Sequence, residues 1–323
     1  MRKNEISPIA LAALVAAFLI YLISGSGAQA ADSGTDNVPL YDNLGGYEVP
    51  VTTETELAQQ YFYQGMRLYY AFNHAEAIRA FRAAQRLDTG CAMCWWGEAL
   101  AYGPNIDLPM DQPSAEAAHR AIQLALVKKS SSSEKEQAMI EALALRYAAD
   151  APAQRDYLDR AFANAMAELD KDYPSDAEVS VLYAEALMDL RPWDYWTAEG
   201  RPQPGMEIAL EKLQQVIARN ESHPGACHFY IHAVEAVYPE RAVPCAERLA
   251  RLELGAMLLT AGKPAEAEQA FREELAKFPE NVWSLYGIAE SLKQQGKIEE
   301  AAVPEAILKR VAGTADVEIS SIF

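Results

Sequence analysis

Apolar residues in this chain recur at the offsets of amphipathic helices packed in antiparallel pairs. The clearest case is residues 251–281, RLELGAMLLTAGKPAEAEQAFREELAKFPEN. Leu254, Gly255 and Leu258 share one helical face, Ala267 and Phe271 share the face of a second helix, and Pro279 follows Phe278 where the pair ends. Tyr61, Gly65, Leu68, Ala77, Phe81 and Ala84 repeat these offsets upstream, and Trp95, Ala99 and Tyr102 begin another copy. Residues 177–190, after Pro174, and residues 282–295, after Pro279 and before a partner around Ala301, read as further first helices. A pair of this kind cannot bury its apolar face alone and must stack on its neighbours.

The pattern over residues 55–311 resembles the tetratricopeptide repeat, a unit of about 34 residues. The resemblance implies an all-α solenoid, a right-handed superhelix of helical hairpins whose concave groove binds a protein or peptide segment. It also implies groove positions: Phe62, Met66, Tyr69 and Tyr70 in the first unit, Trp96 in the second, Glu185 and Asp189 in the fourth, and Trp283, Tyr286 and Glu290 in the last. An aromatic groove with interspersed acids fits a peptide carrying apolar anchors and basic residues, although aromatic residues on helices serve ordinary packing equally well.

Aligning the units exposes three breaks in register. Two insertions, residues 103–114 (GPNIDLPMDQPS) and 191–205 (RPWDYWTAEGRPQPG), separate the helices of their hairpins and so project from one edge of the superhelix. The second brings Trp193, Tyr195 and Trp196 as contact anchors, or as a cover for a hydrophobic edge. The third break is a shortfall of about ten residues against the repeat length. No Gly, Pro or Asn divides PCAERLARLELG between Pro244 and Gly255, which predicts one continuous helix joining two hairpins.

Three of the five histidines, His223, His228 and His232, fall in HPGACHFYIHAVEA with Glu235. His228 and His232 are one helical turn apart on one face. The resemblance places both in the groove, with Glu235 beside them and His223 facing inward. Imidazoles at that spacing suit copper or zinc, and they also suit an anionic partner, the backbone of a bound peptide, or plain packing. No other cofactor is expected.

Cys91 and Cys94 form CAMCWWG, which lacks the His of a haem attachment and the strand context of a thioredoxin site, so a local disulfide or a buried pair is expected. Cys227 and Cys245 fall on the two helices of one hairpin. No phosphate loop, His-Glu-x-x-His or Gly-x-Ser-x-Gly elbow appears, and a non-enzymatic role is expected. A net charge of −18 argues against nucleic acid as a partner. Arg2 and Lys3, the apolar run 8–23 and Ala28-Gln29-Ala30 read as a signal peptide over residues 1–30, or as an inner-membrane anchor through residues 8–23. The protein is therefore expected to be periplasmic or secreted. Residues 31–54 read as a flexible linker and 312–323 as a tail. The run from CAMCWWG through RPWDYW to HPGACHFYIHAVEA resembles a group of longer exported bacterial tetratricopeptide proteins of unassigned activity, in an internally shortened form.

Overall fold

The computed structural model describes residues 38–41, 44–150, 154–260, 262–277 and 282–312. The expected leader (1–30), the start of the expected linker and residues 313–323 lie outside the described residues, as do the surroundings of Leu254, Gly255 and Trp283. The described chain is all-helical: α1 (Glu56–Tyr70), α2 (His74–Leu87), α3 (Ala92–Ala101), α4 (Gln112–Lys128), α5 (Glu134–Ala144), α6 (Asp156–Asp172), α7 (Ala177–Asp189), α8 (Met206–Arg219), α9 (Pro224–Val234), α10 (Pro239–Thr260), α11 (Pro264–Lys277), α12 (Val282–Gln294) and α13 (Ile298–Ala312). None of the described helices is long and apolar enough to cross a membrane.

Local chemistry starts these helices. Thr55, Asp111 and Asp176 accept from the backbone N–H of Ala58, Ser114 and Val179, and Ser133 with Glu136 forms a reciprocal capping box at α5. Stacking follows from ring-on-glycine contacts. Phe81 of α2 is wedged between Gly65 of α1 and Gly97 of α3, where an added Cβ would meet its ring at 2.4 and 2.5 Å. Phe271 and Gly287 repeat the arrangement at 2.5 Å in the last unit. Only glycine lets the two backbones close on the ring, so the sequence offset becomes a packing rule.

The shortfall in register is absorbed as the uninterrupted sequence predicts. Pro239–Thr260 is one 22-residue helix, with Pro244 inside it. It links a large core, from Ala58 to Cys245, to a separate small core of Leu259, Ala267, Phe271, Ile288, Leu292 and Ala301.

The stack also turns tightly enough that its first hairpin touches its fifth. Helix α1 packs on α9, and Tyr70 lies against Gly225 at the start of that helix. This closure overturns the open-groove expectation. Phe62 and Met66 are fully buried, Trp96 is buried with its Nε1–H donated to Met139 O at 3.2 Å, and Tyr69 donates to Glu185 inside the core. Tyr70 donates to Glu178 at 2.9 Å. Buried Arg146 pairs with Asp189 at 2.6 Å and Asp159 at 3.0 Å, and lies 5.0 Å from the Phe162 ring centre. Inner-face positions meet one another across the turn instead of facing a ligand. The exceptions are His228, His232 and Glu235 in the α9 segment and, in the last unit, Tyr286 and Glu290, all half-buried, with Glu290 paired to Lys293 at 2.7 Å.

The described part of the linker differs from a free tether too. Tyr61 donates to Val38 O at 2.6 Å, Arg67 Nε to Tyr47 O at 2.6 Å, and Thr52 N and Oγ1 both donate to Glu136 at 2.6 Å. Thr53 Oγ1 and Glu54 N donate to Asp88 at 2.6 and 2.8 Å. These bonds make residues 44–54 a strap bridging α1, the α2–α3 turn, α5 and, through Tyr47, the start of α9.

Candidate functional site

The three histidines separate into two environments. His223 caps α9: its Nδ1 accepts from Ala226 N–H at 3.2 Å, so in the neutral ring Nε2 carries the hydrogen. That Nε2 faces Glu178 at 3.2 Å and the Tyr47 hydroxyl at 2.8 Å, and the residue is fully buried. Both nitrogens are committed, so His223 drops out of the expected metal set. Among the described residues no group of three or more His, Cys, Asp or Glu is arranged to hold a metal ion.

His228 and His232 remain together on α9, half-buried, with ring centroids 4.8 Å apart. His228 Nδ1 donates to Tyr70 O at 2.6 Å, and His232 Nδ1 donates to Glu235 Oε1 at 3.0 Å. Burial, then the neighbouring His232, hold His228 down to about 4 despite the Tyr70 carbonyl. Burial alone brings nearby His74 to about 4. The imidazoles of His228 and His74 are therefore neutral at pH 7.

Three loops converge over this face of α9. The first is the α1–α2 turn. Its Phe72 ring lies 4.3 Å from His228 and 6.0 Å from His232, and stacks on His74 at 5.5 Å. The second is the 103–111 insertion, where Asn105 Oδ1 accepts from the N–H of Asp107 and of Leu108. Burial raises the Asp107 carboxyl, with His232 pulling it down and Glu235 pushing it up, so Asp107 interacts electrostatically with both. Leu108 is 66% exposed. The third is the 191–205 insertion. Trp196 folds back, donating Nε1–H to Ala233 O at 2.8 Å, and Tyr195 is buried. Trp193 instead stays 51% exposed, 5.3 Å from His232 and edge-on to it. So Trp196 covers an edge while Trp193 projects.

Two of these contacts carry backbone strain. Phe72 (φ 58°) and Trp193 (φ 63°) are the non-glycine residues with positive φ among those described, and both touch His232. Phe72 closes a helix end in which Phe72 N–H bonds Tyr69 O and Asn73 N–H bonds Leu68 O. The same pair of bonds recurs at Gly262 and at Gly296, where glycine carries the left-handed conformation freely. Trp193 follows Pro192 in a turn closed by Asp194 N–H to Arg191 O at 3.0 Å, a pattern that favours glycine at the tryptophan position. A left-handed L-residue costs about 1–2 kcal/mol, and such costs concentrate where a side chain must be held in place.

Sequence reasoning found His228, His232, Glu235 and Trp193 and missed Phe72, His74 and Asp107. The signal for Phe72 was present: aligning Gly65 with Gly255 and Phe81 with Phe271 sets Phe72 against Gly262. Cys91 and Cys94 are joined in a disulfide at the start of α3, while Cys227 and Cys245 are buried free thiols.

Comparison with known proteins bears on the C-terminal hairpins. Residues 258–314 match the tetratricopeptide repeat family. No curated protein matches the chain. The match takes in the end of α10 and all of α11 to α13, the unit with the Phe271–Gly287 contact. Together with the helical hairpins before it, the match supports an all-α helical repeat of the tetratricopeptide kind, a class suited to protein–protein interaction scaffolds.

Proposed function

We propose that the protein is an exported, non-catalytic adaptor that binds a basic segment of a partner protein at the edge where the α1–α2 turn and the two insertions meet over α9. The observation that carries this reading is Trp193, held at positive φ and half exposed beside His232, with Phe72 strained into the same patch. A rigid aromatic anchor rimmed by carboxylates suits a Lys or Arg side chain next to an apolar residue. Asp107 and Glu235 supply those carboxylates, and a net charge of −18 attracts a basic segment over longer range. The inner face is filled by the protein's own side chains, so the binding surface moves from the groove to the edge. The Cys91–Cys94 disulfide supports an oxidising, extracytoplasmic location, as do the leader-like first thirty residues. The likeness to longer exported tetratricopeptide proteins belongs to the same proposal.

The test uses peptides of equal length and hydrophobicity, rich in Lys and Arg or in Asp and Glu. The basic peptides should bind, weaken as salt rises, and lose at least about tenfold in Trp193→Gly, whose left-handed turn glycine accepts. Equal binding of both peptide classes, or binding indifferent to Trp193→Gly, overturns the reading.

A further inference from the structure

The pair His228 and His232 has a feature that packing does not require. The Tyr70 carbonyl can only accept, so His228 Nδ1, 2.6 Å away, carries that ring's hydrogen. The Glu235 carboxylate fixes His232 Nδ1–H in the same way at 3.0 Å. With the hydrogen on Nδ1, the unprotonated form of each ring has its lone pair on Nε2, and neither Nε2 has a hydrogen-bond partner among the described residues. An imidazole whose Nδ1–H is held by a carbonyl or a carboxylate is fixed in tautomer and orientation, and its free nitrogen becomes more basic. Here one ring has each kind of support, and the two rings are one helical turn apart with centroids at 4.8 Å.

We propose that His228 and His232 form a two-imidazole half-site that binds a divalent first-row transition metal, copper(II) foremost, through their Nε2 atoms. Water, or a donor brought by a second molecule, completes the coordination. Copper(II) leads because imidazole nitrogen suits it and because it tops the affinity order of these ions. His223 takes no part, both its nitrogens being bonded within the core. The half-site is compatible with the absence of any three-residue cluster among the described residues, since it asks for two protein donors. Phe72 packs against the His228 ring and Trp193 against the His232 ring, and Asp107 and Glu235 bring negative charge that favours a cation. This site is independent of the adaptor reading, because the ion binds with no protein partner present.

The experiment titrates untagged, leader-free protein with copper(II) chloride and, in parallel, zinc chloride. Trp193 is the built-in reporter, 5.3 Å from the His232 ring. The expected result is quenching that saturates at one copper per chain, is reduced in Trp193→Phe, and weakens at least about tenfold in affinity in His228→Ala and His232→Ala, the loss typical of a removed ligand support or ligand. Should either alanine variant fail to fold, the wild-type protein still decides. With five histidines, the paramagnetic ion must broaden the imidazole proton signals of His228 and His232 before those of His74, His119 and His223. Broadening that begins elsewhere, or quenching unchanged in folded His variants, overturns the proposal. Zinc should bind the same two rings more weakly, and tighter zinc than copper binding there contradicts the assignment of copper as the preferred ion.

Discussion

The ring of Tyr70 lies so close to the backbone of Gly225 that a Cβ on Gly225 would come within 2.4 Å of it. This contact closes the first hairpin onto the fifth, buries the inner face, and sets Phe72 over His228. Gly225→Ala should therefore cost about 1–3 kcal/mol, as overpacking does, read from the midpoint of a denaturant titration. A change under about 0.5 kcal/mol would mean that the two helices are not in contact.

The left-handed turn at Phe72 separates strain from packing. Phe72→Ala loses the ring and keeps most of the backbone strain, whereas Phe72→Gly loses the ring and relieves it. The glycine variant should be the more stable of the two by about 1–2 kcal/mol. Equal stabilities would show that residue 72 does not adopt positive φ in solution.

Buried carboxylates give a pH signature. Burial, reinforced by the charge of Asp189, raises Glu185 to about 8. The native state then keeps a proton that the unfolded chain loses near 4.5. Stability from this group is complete below that pH and is lost as pH rises through 8, at up to about 1.4 kcal/mol per pH unit. Asp189, raised to about 6 by burial against the pull of Arg146, acts with the same sign up to that pH. His74 and His228, lowered to about 4, oppose this below 6.5 and are neutral above it. Stability should thus fall between about pH 6.5 and 8, and Glu185→Gln should flatten the fall, as measured by urea unfolding across that range. An unchanged slope in Glu185→Gln would contradict the assignment.

Arg146 and Asp189 are both buried, so removing the carboxylate breaks a buried pair and leaves Asp159 to balance the guanidinium. Asp189→Ala should cost about 3–5 kcal/mol, whereas Glu290→Ala, at a half-buried pair with Lys293, should cost less than about 1 kcal/mol. Thermal unfolding of the two variants compares them directly.

The Cys91–Cys94 bond closes a very short loop, and replacing both residues by serine should cost about 2 kcal/mol. Intact mass before and after alkylation of the unfolded, unreduced protein should show that these two cysteines do not react.

The hairpins were legible in the sequence because Phe81 against Gly65, and Phe271 against Gly287, are contacts between neighbouring helices, whose spacing is written in the chain. The continuous helix Pro239–Thr260 was legible for a related reason, the lack of any turn residue between Pro244 and Gly255. Burial of Tyr69, Tyr70, Glu185 and Asp189 was not legible, since it depends on curvature accumulated over five hairpins. The strap was hidden by composition: its Gly, Pro and Thr content is that of a linker, while its hydrogen bonds reach Glu136 and Asp88, far away in sequence. Within the site, helical spacing brought His228 and His232 together, but Phe72 enters through a backbone conformation that its residue type disfavours.

The most direct test of this account is a nuclear Overhauser measurement between the Phe72 ring and the imidazole protons of His228 and His232, which reports closure of the stack and assembly of the edge together. The account predicts cross-peaks to both histidines, strongest to His228, whose ring centroid is 4.3 Å away. Assigned signals for all three rings with no cross-peak between them would contradict it.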